Sequence, residues 1–410
     1  MFKHNRTFKN IYLGYEFVKN NDLFRSRCNL KTFTRDYSAK LTSFNNVLVV
    51  SKLSRYEYEQ RRHQDLSSQE LEKLLRNRGT DYEKLVKFHD LHKRFEENVV
   101  TTLENMGICV TVCNRFSFCE DLVNQADVIM PVGGDGTFLL ASSLIKDNKK
   151  PVIGFNSDPN RSEGHLCLPK KYSTNIREAI EKLQKGNFKW LMRNRIRTTM
   201  LNKDEILTPK YLHEIENESI TIEECSRFFG EGSYKVLPVL ALNEVFIGET
   251  LSARVSHLHM RLNNNINTTN LKCSGLCVST GTGSTSWHLS INRLPTQTVA
   301  ELLRLIDVET TENKDNLAAT LSDIYNKNLI FNPDDKRLGY TIRDLVSAGV
   351  WPQPKGIQSR GFATRIEVRS FCYEASLVID GGVSFSFNDG TVAVLEICPD
   401  DSLRTVILSE

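Results

Sequence analysis

No apolar run approaches the roughly 20 residues a membrane-crossing helix needs; stretches such as Val47 to Val50 and Val128 to Val132 are far shorter. A membrane span is therefore not expected, and no membrane partner. The ten cysteines, scattered from Cys28 to Cys398, include no C-x-x-C pair. Neither Cys109 with Cys113 nor Cys273 with Cys277 has a second ligand pair at zinc-site spacing, so core thiols in a reduced compartment are expected. Neither sign of charge dominates: 53 Lys and Arg stand against 50 Asp and Glu, a net +3. No strong field points to nucleic acid. The histidines form no catalytic constellation, since His89 and His92 lie in a charged helical stretch and His257 and His259 share one face of an alternating strand. The P-loop pattern G-x-x-x-x-G-K-S/T is missing, as is an H-R-D loop paired with D-F-G. Both common kinase architectures are thereby excluded.

What remains is a chain of 410 residues, 40% hydrophobic, long enough for two domains and extra segments. Residues 1–42 are rich in Lys and Arg, with only Glu16, Asp22 and Asp36 among the first forty to oppose them. This reads as a mitochondrial transit peptide or a disordered basic leader, and Arg35, Asp36, Tyr37, Ser38 resemble an Arg-x-Tyr-Ser processing context. From 43 to 187, short apolar runs alternate with helix-compatible segments: Asn46 to Ser51, a long charged stretch from Tyr56 to Asn105, Ile108 to Val112, Asp127 to Val132, Pro151 to Phe155 and Asn175 to Lys185. The alternation predicts βαβ units and a parallel, Rossmann-like sheet. From 188 to 400 the pattern turns strand-like, with Lys189 to Met200, Val236 to Ile247, Arg254 to Leu262, Ala363 to Val368, Ala375 to Ile379 and Val392 to Ile397. A mainly β domain is expected there, with insertions near 201–235 and 296–345 and a terminal segment at 401–410. The fold class is thus α/β plus β.

The sharpest local signal is Gly133, Gly134, Asp135, Gly136, Thr137, set between the apolar run Val128 to Val132 and the helix-compatible Phe138 to Leu144. Glycines allow a backbone to approach a phosphate closely, and a helix N-terminus offers unpaired N–H groups to an anion. A phosphate cradle does not need the carboxylate of Asp135. Beside bound phosphates it is repelled unless it holds Mg²⁺ or takes a proton from an attacking hydroxyl, which is phosphoryl-transfer chemistry. The bland alternative is a turn in which Asp135 caps the following helix.

Downstream, Cys273 to Trp287 reads C-S-G-L-C-V-S-T-G-T-G-S-T-S-W. Its small side chains permit close backbone approach, its hydroxyls suit ribose or phosphate, and Trp287 can stack on a ring. Asn243 and Glu244 follow the apolar run Leu237 to Leu242; an amide beside a carboxylate can serve a vicinal diol.

Together these motifs resemble the NAD kinase family. Gly133 to Thr137 matches its G-G-D-G-T signature, shared with lipid kinases. The Cys273 to Trp287 segment is similar to D-G-x-x-x-S-T-P-T-G-S-T-A-Y, which those lipid kinases lack. Gly164, His165, Leu166 resemble part of the family's G-H-L-G-F-L turn, and Asp380, Gly381, Gly382 a D-G-Q turn. The segment Asn156 to Pro169, and Gly281 where most of the family has Pro, look like the mitochondrial branch. Ser274 stands where many members carry Asp, and Trp287 where they carry Tyr. The resemblance implies the NAD kinase fold and transfer of the γ-phosphoryl of ATP to the 2'-hydroxyl of NAD. The active site would lie at the junction of the two domains with Asp135 as the base, and Mg²⁺ would be held mainly by phosphates, with Asp135 beside it. Nucleotide contacts would come from Gly133, Gly134, Gly136, Thr137, Asn156, His165, Asn243, Glu244, Ser274, Thr282, Gly283, Ser284, Thr285 and Trp287. It further implies small-molecule nucleotide partners, a homodimer and a place in the mitochondrial matrix. A lipid kinase and a catalytically silent NAD(P) sensor are the alternatives.

Overall fold

In the computed structural model, residues 44–201, 209–212, 234–263, 265, 268–306, 313–347 and 357–409 are described. The basic leader, and nearly all of the insertion expected near 201–235, lie outside them. Strands β1 (Asn46–Ser51), β2 (Cys109–Cys113), β3 (Val128–Gly133) and β4 (Phe155–Asn156) form a parallel sheet in the order β2-β1-β3-β4. Strand β1 shows why both faces are covered. Val47 and Val49 point into one core cluster with Val99, Leu103 and Ile180, while Leu48 and Val50 point into another with Phe138 and Ala141. Such continuous apolar strands are what a parallel sheet between two helical layers requires. Each fully buried side chain of this size contributes about 2 kcal/mol.

The charged stretch from Tyr56 to Asn105 is three helices: α1 (Arg55–Arg62), α2 (Ser68–Asn77) and α3 (Tyr82–Asn105). Local chemistry divides it. Ser54 with Glu57 and Ser67 with Glu70 make capping boxes, Asp81 caps Lys84, and Gly79 turns the chain with φ +78°; caps of this kind start new helices. Helix α4 (Glu120–Gln125) precedes β3 and α5 (Asp135–Ser143) follows it. The short α6 (Lys171–Thr174) and the amphipathic α7 (Ile176–Gln184) complete this layer.

The remainder is built on a six-stranded and a seven-stranded sheet around one core that includes Met200, Ile247, Leu276, Val368 and Phe385. The site depends on β9 (Glu244–Glu249), β12 (Gly275–Ser279) and β16 (Ala375–Ile379), with β12 and β16 antiparallel to β9 on either side. The strand-like stretch Lys189 to Met200 is two strands, β5 (Phe188–Arg193) and β6 (Ile196–Leu201). The break has a cause. The N–H of Asn194 donates to the Pro333 carbonyl at 2.9 Å, and the fully buried Arg195 donates to carbonyls of Ile145 and Asp401 at 2.5 Å each. Among the described residues strand β5 pairs only with β19 (Leu403–Leu408), whose Leu403 and Leu408 join the cores of the parallel-sheet layer. The stretch Thr296 to Lys327 supplies two helices, Thr296–Leu305 and Lys314–Lys327, with a small core of their own at Val299, Leu303 and Ala318.

Candidate active site

The glycine turn joins β3 to α5. A Cβ at Gly133 would lie 2.3 Å from Thr137 Oγ1, so the turn closes only around glycine. Gly134 is the N-cap and α5 has no side-chain cap, which leaves first-turn N–H groups for an anion. Asp135 does not cap its own helix. Its carboxylate reaches across and accepts the backbone N–H groups of His165 at 3.1 Å and Leu166 at 2.8 Å. The turn it holds is itself fixed: Gly164 has φ +64°, and a Cβ there would meet Asn156 Nδ2 at 2.4 Å. Asn156 donates to the Ser162 carbonyl at 2.9 Å and accepts from Asp158 N at 3.1 Å. Asn156 is thus buried and fixes the turn while also lining the cavity beside Asp135, and His165 meets Asp135 through its backbone N–H while its side chain is exposed.

Above the ends of β1, β3 and β4 opens a cavity of about 610 Å³ whose walls include Lys52, Arg55, Arg115, Asp135, Thr137 and Ser157. Three cations against few carboxylates suit a polyphosphate chain. Ser51 and Ser157, also in its lining, are tied together by His92, which is 3% exposed. His92 Nε2 contacts Ser51 Oγ and Nδ1 contacts Ser157 Oγ, each at 3.1 Å, while the Ser51 hydroxyl donates to Glu96. With Ser51's proton committed to Glu96, Nε2–H must donate to Ser51 and Nδ1 must accept from Ser157. Burial pushes the His92 pKa down, which favours this neutral, one-donor ring. The charged helical stretch of the sequence therefore carries a core histidine in a polar network beneath the cavity.

Asn243 and Glu244 open β9 on the other side. Asp380, half-buried and with φ +48°, accepts the N–H groups of Leu242 at 2.7 Å, Asn243 at 2.8 Å and Glu244 at 3.0 Å. Burial raises its pKa to about 6 against these bonds, which lower it. Burial, then the neighbouring Asp380, pushes Glu244 up to about 8, and a bond from Ser286 opposes the rise. Glu244 Oε2 is buried with no hydrogen-bond partner in the protein. A neutral carboxyl beside an amide can donate and accept toward paired hydroxyls, and an orphan oxygen marks where one would bind.

The polar loop after β12 packs directly on this pair. Thr280 N donates to the Asn243 carbonyl at 2.9 Å, and a Cβ at Gly283 would lie 2.2 Å from that same oxygen. Ser284 is fully buried, donating to the Gly281 carbonyl at 2.6 Å and accepting from Phe331 N at 3.1 Å. Its hydroxyl is spent within the protein, while Thr282 and Thr285 stand on the same short 3₁₀ turn, Gly283–Thr285, and its cap. Trp287 packs on Phe246, ring centroids 4.6 Å apart. Ser274 is not with the other candidates: it precedes β12, whose far end, Ser279, pairs with Glu244. Only the Phe246 ring, over Gly275, leans toward it.

Sequence reasoning missed Phe246 and Arg193. Phe246 lies two residues beyond Glu244 on β9, a same-face spacing that was readable. Arg193, at the end of β5, is largely buried, with Asp135 and Cys167 as its charged or polarisable neighbours and a 3.4 Å contact from Nη1 to Thr282 Oγ1. Among the described residues no group of three or more His, Cys, Asp or Glu side chains gathers to hold a metal ion, and no helix is long and apolar enough to cross a membrane.

The family profile of the ATP-NAD kinase N-terminal domain matches residues 48–188. The chain is 38% identical over 379 residues to "NAD kinase 2, mitochondrial" of Homo sapiens, covering 89% of this chain and 85% of the human protein. The Xenopus tropicalis protein of the same name is 37% identical over 393 residues, covering 89% and 91%. A solved yeast NADH kinase complexed with NADH shares the fold at 14% identity, with TM-score 0.50, 89% of this chain and 83% of that chain covered. The parallel sheet with its glycine turn, the antiparallel layers and these likenesses agree: the chain belongs to the NAD kinase family, in its mitochondrial branch.

Proposed function

We infer that the chain is an ATP-dependent NAD kinase of the mitochondrion, moving the γ-phosphoryl of ATP onto the 2'-hydroxyl of the adenosine ribose of NAD to give NADP. The observation that carries the site assignment is Asp135, held by two backbone N–H bonds on the wall of a basic cavity. Each of its oxygens spends one lone pair on the protein and keeps another. Asp135 is the proposed base: it takes the 2'-hydroxyl proton as the O–P bond forms and the bond to the leaving ADP oxygen breaks. First-turn N–H groups of α5, with Lys52 and Arg55, support a role in holding the triphosphate. Asn243 and the neutral Glu244 support ribose recognition, and the Phe246–Trp287 pair suits a ring. Asp135 and Asp158 face the cavity and would hold a phosphate-bound Mg²⁺ through its waters, which neutralises phosphate charge. The lipid-kinase alternative is not favoured by the relatives. We further propose a homodimer in the matrix.

The test is a coupled assay of the purified protein with NAD, ATP and Mg²⁺, reading NADP through an NADP-specific dehydrogenase, with Asp135→Asn beside it. NADP from the parent and almost none from a folded variant supports both reaction and base. A folded parent that makes no NADP overturns the reaction; a variant with near-normal turnover overturns the base.

A further inference from the structure

We propose that Arg193 is a catalytic residue, a guanidinium built into the chain that contacts the phosphoryl group during transfer. The inference rests on the NAD kinase reading above, and four observations carry it.

First is position. Arg193 closes β5 between the glycine turn and the polar loop: its Nη1 touches Thr282 Oγ1 at 3.4 Å, and Asp135 of the glycine turn is a neighbouring charge. The cavity's lining includes Asp135 but not Arg193, so the guanidinium stands near that carboxylate on the side of the Thr282 turn. Second is unmet bonding capacity. Arg193 Nε is buried and has no hydrogen-bond partner within the protein, and the long contact to Thr282 is a weak one. A guanidinium carries five N–H donors in a planar fork. Third is charge. Arg193 makes no ion pair among the described residues, although Asp135 is near, because the Asp135 oxygens are turned to the N–H groups of His165 and Leu166. Burial costs such a cation dearly unless an anion completes the site. Fourth is the contrast with Arg195 two residues on, which is more deeply buried yet satisfied by carbonyls of Ser142, Ile145, Asp147 and Asp401. One arginine is structural glue; the other keeps donors in reserve.

In the step proposed, the 2'-oxygen bonds to the γ-phosphorus, the bond to the β-bridging oxygen breaks, the proton passes to Asp135 and the electron pair leaves with ADP. Arg193 donates to the equatorial oxygens, where charge sits in the loose transition state. Because it has to be aligned with that state rather than with either substrate, its loss should fall on kcat.

Arg193→Ala and Arg193→Lys, made in the full chain, test this. The Ala variant should lose about 10²-fold or more in kcat, with KM for ATP and NAD changed little. The Lys variant should retain part of the rate, and millimolar guanidinium should restore part of the Ala variant's turnover. A second readout, taken on folded protein alone, uses ADP with aluminium fluoride and NAD, followed by ¹⁹F NMR: the parent should trap the complex and a folded Arg193→Ala should not. Parent-like kcat, or a loss confined to KM for NAD with trapping intact, overturns the proposal. A parent that forms no NADP fails the kinase reading instead, so the two failures are separable.

Discussion

Two aspartates, Asp135 and Asp380, are used alike and to different ends. Each sends its carboxylate into a turn of another segment: Asp135 to the N–H groups of His165 and Leu166, Asp380 to those of Leu242, Asn243 and Glu244. Asp380 divides its two oxygens among three donors, whereas Asp135 takes two donors and lines an open cavity. Fixing its turn occupies more of the Asp380 carboxylate than of Asp135, whose two oxygens each keep a lone pair beside the cavity. A reactive group can therefore double as a structural one, provided lone pairs and access remain.

The largest expected effect breaks the comparison at Asp135. Asp135→Asn should lower kcat by about 10³-fold and also destabilise the fold by about 1–3 kcal/mol, because an amide offers one acceptor to two backbone donors. Thermal melting beside the kinetics checks this. A rate loss with no loss of stability would mean that the two N–H bonds do not matter to the turn.

Next is Asp380→Ala, which leaves three buried N–H groups without their acceptor. Stability should fall by about 3 kcal/mol or more, and KM for NAD should rise by about tenfold as Asn243 and Glu244 lose their alignment. If kcat rather than KM carried the loss, Asp380 would belong to the chemistry and the contrast would collapse.

Much of this contrast was legible beforehand. Gly133 to Thr137, Asn243 with Glu244, and Thr282 to Thr285 announced themselves because close backbone approach restricts residue type over consecutive positions. The alternation of apolar runs and helices gave the parallel sheet, since a short continuous apolar run between helix-compatible segments is a local signal. What stayed hidden depends on long-range pairing. Arg193 sits in an unremarkable strand, and its place beside Asp135 follows from β5 pairing with β19, more than 200 residues on. The Ser51–His92–Ser157 network joins three segments no local spacing connects. Ser274 was grouped with its neighbours in sequence, although a five-residue strand carries it to the other end of β12.

A smaller effect is expected at Gly281, where the polar loop meets the Asn332 to Pro333 turn. An added Cβ would lie 1.7 Å from the Asn332 carbonyl oxygen, a backbone atom. Gly281→Ala must push that turn away, at about 1–3 kcal/mol. The displaced Thr282 should raise KM for the nucleotides while the Asp380 side keeps its geometry. Unchanged melting and unchanged KM would show the contact to be looser than its distance.

The smallest effect concerns pH and sharpens what Asp380 does to its neighbour. Glu244 titrates near 8 in the fold against an ordinary 4.5, because burial and then Asp380 disfavour its charge. The folded state thus holds a proton that the unfolded chain has released between those values. Its contribution to stability is full at low pH, falls as pH rises through the window and is flat above it. Glu244→Gln, a neutral side chain at every pH, should remove that decline, so parent and variant melting temperatures should separate steadily from about pH 5 to about pH 8. Affinity for NAD should follow: near neutrality Gln replaces a protonated carboxyl, donating and accepting as it does, whereas above about pH 8 the parent ionises and loses its donor. Parallel melting curves across this range would mean that Glu244 is already charged at neutrality, and its part in holding a ribose diol would then be that of an acceptor alone.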